Sequence, residues 1–129
     1  MQKNELMIGN LVNYQNLTYS VYGITGECVI LQDALTNKVV PFNELSPVSL
    51  TEHWFLEFGF AFKKTEKSNS YSKDSFRANF VTDGRFKGKM FLIYANAMNW
   101  ADCDVNLYVH KLQNLYFSLT GEDITNGKI

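Results

Sequence analysis

Between Leu11 and Val40 apolar side chains recur in short runs broken by turn residues, with Val12, Tyr14, Tyr19, Val21, Ile24, Val29, Leu31, Val39 and Val40 at the apolar positions. A period near two, carried by β-branched and aromatic residues, predicts short strands. Gly9-Asn10, Tyr22-Gly23 and Thr25-Gly26 mark the expected breaks. The stretch Pro41-Phe42-Asn43-Glu44-Leu45-Ser46-Pro47 then reads as a 3₁₀-type turn. Four or five such strands, at about this length, point to an SH3-like small β-barrel or curled sheet over residues 1–49, thin for independent stability.

At residues 50–59 the period changes to that of a helix. Thr51 can cap the first free N–H groups, Leu50 and Phe55 stand at the positions of a hydrophobic staple, and Gly59 suits the left-handed residue after the last turn. Trp54, Phe55 and Phe58 share one face while Leu56 points nearly opposite, so this helix is expected to be wedged between two apolar surfaces. Residues 63–74 are polar and rich in Ser and Lys, which predicts a loop.

A hairpin follows. A three-residue loop, Thr82-Asp83-Gly84, with Gly84 left-handed, would set Val81 opposite Arg85 and Phe80 opposite Phe86. Phe76, Ala78 and Phe80 would then share a face with Phe86, Gly88 and Met90, leaving Arg77, Asn79, Arg85, Lys87 and Lys89 on the other. A two-residue Asp83-Gly84 loop would instead bring Lys87 and Lys89 beside Phe76 and Phe80. From Met90 to Tyr94 the strand is apolar on both faces, residues 96–104 read as a loop, and Val105 to Val109 as a last strand. A closing helix is expected from His110 to Thr120, with Leu112, Leu115, Tyr116 and Leu119 in one stripe and Gly121 as its stop. The expected fold is therefore α+β: the N-terminal SH3-like segment, a linking helix, then an antiparallel sheet backed by the C-terminal helix. Because Trp54, Leu56 and Phe58 need cover, residues 1–49 and 50–129 are expected to share the core of a single compact domain, 1–129.

Composition narrows the setting. Hydrophobic residues make up 46% and charged residues 19%, a balance that excludes a disordered chain. No apolar run reaches the roughly 18 residues of a membrane span, and the N-terminus lacks a signal-peptide h-region, so the expectation is a cytoplasmic protein with no membrane association. Cys28 and Cys103 are read as free buried thiols. Without a secretory route, the glycosylation triplet Asn16-Leu17-Thr18 carries no meaning.

The net charge of −1 is unevenly spread. Residues 1–62 hold two Lys against six acids and residues 90–129 two Lys against four, whereas residues 63–89 hold eight Lys/Arg against three acids. That concentration makes Arg77, Arg85, Lys87 and Lys89 the candidate anion or nucleic-acid binding residues. In the preferred register Arg77 faces Lys89, a repulsion that a phosphate would relieve, with Tyr71, Phe91 or Trp100 as a nearby stacking surface. A solvated face whose edge is guarded by lysines is the ordinary alternative.

Other groupings carry less. His53 and His110 show no zinc-ligand spacing with Cys28 or Cys103, so no metal or cofactor is expected. Asp102 and Asp104 flank Cys103 and could hold Mg²⁺, but an acidic turn explains them as well. No phosphate-cradling glycine motif or nucleophile elbow is present, and no catalytic residue is assigned.

Three segments, Glu5-Leu6-Met7-Ile8-Gly9-Asn10-Leu11-Val12, residues 50–60 around Trp54 and Phe55, and residues 108–122 around Leu112 and Tyr116, together resemble a family of small uncharacterised proteins from phages, prophages and mobile elements of gut bacteria. The resemblance implies a setting rather than an activity, and no site residue is carried over from it. The expectation is a non-enzymatic accessory protein acting through a protein partner or self-association, with binding of nucleic acid or a phosphorylated small molecule through the basic hairpin as the alternative.

Overall fold

The computed structural model describes residues 1, 3–94, 100–103 and 108–125. The chain is mixed α and β and divides into two compact units, Met1–Ser49 with Tyr108–Ile129, and Leu50–Leu107.

In the first unit β1 (Leu11–Tyr14), β2 (Leu17–Ile24), β3 (Cys28–Gln32), β4 (Asn37–Pro41) and β5 (Ser46–Pro47) form an antiparallel sheet in the order β4-β3-β2-β1-β5. Gln15 and Asn16 join β1 to β2 with φ values of 49° and 67°, the two positive-φ positions of a type I′ hairpin turn. Tyr22-Gly23 is not the break expected from the sequence. β2 runs through it, and the register shifts between Val21 and Gly23 as a bulge. A Cβ at Gly23 would stand 3.2 Å from Ile30 Cδ1, so the missing side chain is what lets Ile30 lie across the strand. A 3₁₀ turn over Phe42–Glu44 carries the chain from β4 to β5, as the sequence suggests. Leu6, Val12, Tyr19, Val21, Val29, Leu31, Val40 and Leu45 form the core. Val39 is 69% exposed because it pairs with Ile30, one register position away from the inward Val29–Val40 pair.

The C-terminal helix α2 (Val109–Thr120) belongs to this unit, which corrects the expectation that it backs the second sheet. Burial of Val109, Leu112 and Tyr116 is joined there by polar contacts with residues at the start of the first sheet. Gln113 Oε1 accepts from the Leu11 N–H at 2.8 Å, Gln113 Nε2 donates to Gly9 O, and Asn10 Nδ2 donates to Asn114 Oδ1. The buried face comprises Val109, His110, Leu112, Gln113 and Tyr116, so it is rotated from the expected stripe and Leu119 is exposed. Gly121, at φ 75°, ends the helix as expected, its N–H donating to Phe117 O. Val109 opens the helix instead of closing a strand; residues 105–107 of that expected strand lie outside the described residues.

The second unit holds α1 (Glu52–Glu57), β6 (Ala61–Lys64), β7 (Ser68–Lys73), β8 (Phe76–Val81), β9 (Met90–Tyr94) and β10 (Trp100–Cys103), the strands forming an antiparallel meander in the order β10-β9-β8-β7-β6. Thr51 is the N-cap residue but makes no side-chain capping bond. The C-terminus closes as a Schellman motif, with Phe60 N–H donating to Phe55 O and Gly59 N–H to Leu56 O while Gly59 takes φ 83°. Phe55 is fully buried against Phe60, Tyr71 and Phe80. Leu56, on the other side of the helix, is 53% exposed, in contrast to the buried Phe55 and Phe58.

Residues 63–74 are not a loop. They complete the β6–β7 hairpin, with Phe62 opposite Tyr71 and Lys64 opposite Asn69. Only Tyr71 of β7 is buried, which leaves too little hydrophobic period to reveal the strand. Likewise Trp100–Cys103 pairs with β9 where a loop was expected, while residues 95–99 and 104 lie outside the described residues.

Candidate functional site

The connection from β8 to β9 is longer than a three-residue loop. Phe80 pairs with Met90, Asn79 with Phe91 and Arg77 with Ile93, four positions beyond the expected register on the second strand. Gly84 does take a left-handed conformation, φ 89°, but Gly88 takes one too, φ 87°. Between them Lys87 N–H donates to Gly84 O and Lys89 N–H to Phe86 O, and Gly88 N–H bonds back to Val81 O. These internal bonds absorb the residues that a tight hairpin would have placed on a strand.

An even slip preserves faces. Phe76, Ala78 and Met90 are therefore buried, and Arg77 is exposed, as the sequence predicts. The pairing does not survive. Arg77 faces Ser72 and Ile93, not Lys89, so the cross-strand repulsion does not arise. Phe86 also leaves the core face: it sits on the loop, 51% exposed.

Arg85, Lys87 and Lys89 are all exposed on this loop. Its inner side opens on a groove of about 580 Å³ lined by Lys67, Ser68, Asn79, Val81, Asp83, Gly84, Arg85, Phe86 and Phe91. The Phe86 and Phe91 rings meet edge to face at 5.8 Å and 90°, and the Arg85 guanidinium stands 5.6 Å from the Phe86 centroid. Thr82 N–H donates to Lys67 O, tying the β6–β7 turn to the loop and holding Lys67 at the rim. Asp83, the acid of the lining, accepts from the N–H of Gly84 at 2.8 Å.

Lysines along an open sheet edge block strand pairing. That explanation suits Lys63 and Lys64 on β6, which is an edge strand. It does not suit the loop cations, because β8 and β9 are each paired on both sides.

Of the expected stacking residues, Phe91 lines the groove, whereas Tyr71 is buried on the opposite face. Burial, reinforced by the bond its hydroxyl donates to Glu52 Oε1 at 2.8 Å, pushes the Tyr71 phenol up to about 12. The Trp100 side chain lies outside the described residues. Sequence reasoning missed Phe86 and Lys67, one because its register slipped and the other because its hairpin was invisible.

The remaining candidates are scattered. His53 pairs with Glu57 one turn along α1, at 3.3 Å and largely exposed. His110 is 1% exposed, and neither ring nitrogen has a hydrogen-bond partner among the described residues. Cys28 is a free, half-buried thiol, while the side chains of Asp102 and Cys103, and all of Asp104, lie outside the described residues. Among the described residues no three His, Cys, Asp or Glu side chains gather, and no helix is long and apolar enough to cross a membrane. A smaller pocket in the first unit, about 150 Å³, is lined by Gly9, Asn10, Gln113, Asn114, Phe117 and Asp123, where Gln113 and Asn114 are already engaged in holding α2. Comparison with known proteins returns no match from family models, curated proteins or solved structures.

Proposed function

We propose that this chain is a non-enzymatic binding module whose second unit binds nucleic acid through the β8–β9 loop and the groove beneath it. The observation that carries this reading is the half-exposed Phe86, held edge-on to Phe91 beneath Arg85 in a groove that Lys67 also lines, on a loop that exposes Lys87 and Lys89 and joins strands whose edges need no protection. Exposed aromatic surface beside clustered cations serves polyanions that also carry flat apolar rings. Arg77 adds a cation on the same outer face of β8. The test is fluorescence anisotropy with labelled single-stranded DNA or RNA across a salt series. Reversing Arg85, Lys87 and Lys89 to Glu is expected to weaken binding at least tenfold and flatten the salt slope by about one unit per lost phosphate contact. Absence of binding by the unmodified protein at low salt rejects the reading, and competition by nucleoside monophosphates alone would redirect it to a phosphorylated small molecule.

A second reading, interaction with a protein partner or another copy of the chain, rests on the first unit. There β4 is an edge strand, and Val39 and Leu35 of the β3–β4 hairpin are largely exposed. We read this unit as SH3-like, on its five-strand order and the 3₁₀ turn that returns β5 to β1. We infer a phage, prophage or mobile-element origin from the resemblance noted in the sequence, and a place in the cytoplasm from the lack of an apolar run of membrane-spanning length.

A further inference from the structure

Resting on the nucleic-acid reading, we infer that the groove takes unpaired bases stacked against Phe86, so that the ligand is single-stranded and bound with little regard to sequence. A site that reads phosphate alone needs cations and no ring. Here the exposed ring is the centre of the arrangement, and its position is specified: Phe91 stands perpendicular to it at 5.8 Å, and Arg85 lies 5.6 Å from its centroid. Gly84 and Gly88, both at positive φ, bracket Arg85-Phe86-Lys87 and lift those three residues as one projection.

At about 580 Å³ the groove falls within the roughly 300–1,000 Å³ of small-ligand sites, room for bases that have left a stack. A duplex can bring its backbone to Arg85, Lys87 and Lys89, but its base faces are occupied by their neighbours and offer nothing to Phe86. Of the other lining groups, Asn79 and Ser68 are neutral and able both to donate and to accept hydrogen bonds, so they accommodate any base edge. Stacking is itself tolerant, because every base has a π face.

The experiment compares four proteins (unmodified, Phe86→Ala, Phe86→Trp, and the Arg85, Lys87, Lys89 to Glu reversal) against a short oligothymidylate, a blunt duplex of equal length, and inorganic tripolyphosphate. Phe86 is half-exposed on a loop, so thermal unfolding of Phe86→Ala is expected to match the unmodified protein. The expected result is tighter binding of the single strand than of the duplex. Phe86→Ala should lose single-strand affinity about 5- to 150-fold, the equivalent of a stacked base, with duplex and tripolyphosphate binding unchanged. Phe86→Trp should retain affinity and show indole fluorescence quenched on binding. Equal affinity for single strand and duplex, with Phe86→Ala neutral and the charge reversal damaging, overturns the stacking inference while leaving nucleic-acid binding intact. No binding of any probe removes both.

Discussion

The two units each set one helix on a five-stranded antiparallel sheet, and both bury apolar side chains of that helix, but their polar contacts differ in kind and in reach. In the second unit α1 inserts Phe55 among Phe60, Tyr71 and Phe80, and its polar side-chain links run from Glu52 to Tyr71 and Asn69, 19 and 17 residues away. In the first, α2 is latched by amides: Gln113 reaches Leu11 and Gly9 across 102 and 104 residues, and Asn114 reaches Glu5 across 109. Aromatic pairs prefer edge-to-face or offset geometries, and those of Phe55 join residues near it in sequence. Amide bonds to backbone are directional, and they bring together the two ends of the chain at a loop-closure cost that grows only slowly with length. The amides add directional contacts to the burial of Val109, Leu112 and Tyr116, and so help to fix the angular position of a helix distant in sequence.

Phe55→Ala should do the most damage, removing the ring on which the second unit's core converges and costing about 3–5 kcal/mol in urea unfolding. Loss of less than about 1 kcal/mol would mean that Phe55 is not the centre of that core. Gln113→Ala attacks the other helix. It leaves the buried Leu11 N–H without an acceptor and should cost about 1–3 kcal/mol. Gln113→Glu keeps the acceptor but replaces the donor to Gly9 O by a buried, unpaired carboxylate oxygen, and at neutral pH is expected to cost at least as much as Gln113→Ala.

Tyr71→Phe deletes one hydroxyl and its bond to Glu52, at about 1 kcal/mol. It also sharpens the comparison through pH. The folded phenol titrates near 12, above its ordinary value of 10.0, so its contribution is complete below about pH 10 and is lost as pH rises through 12. Alkaline unfolding in Tyr71→Phe should lack that component.

His110 is expected to act only on acidification. Burial lowers its pKa; Glu5, 4.0 Å away, opposes that shift, and Lys111 and the N-terminal amino group add to it. The unfolded chain gains a proton near pH 6.5, the ordinary imidazole value, before the folded one does. Stability should therefore be level above about pH 7 and fall as pH drops toward the folded value. His110→Leu should flatten that fall; an unchanged acid profile would place the cause elsewhere.

Much of the fold was legible. Alternation marked β1 to β4, the Leu50–Gly59 pattern marked α1 and its Schellman stop, and Gly121 marked the end of α2. Val39 and Tyr22-Gly23 show the limit, since an exposed valine and a bulge glycine look in sequence like a core valine and a turn. The candidate site was half legible: Arg85, Lys87 and Lys89 stand out as charge, but Phe86 reads as core whenever the hairpin is closed too tightly.

Local chemistry determined, before any folding, the helix stops at Gly59 and Gly121 and the alternating strands of the first unit, because φ preference and side-chain period belong to single residues and their neighbours. Only the tertiary structure decided the pairing of β8 with β9, the strand character of Ser68–Lys73, and the sheet that receives α2. Each of those depends on hydrogen-bond partners brought from elsewhere in the chain, and a donor or acceptor carries no mark of the partner it will find.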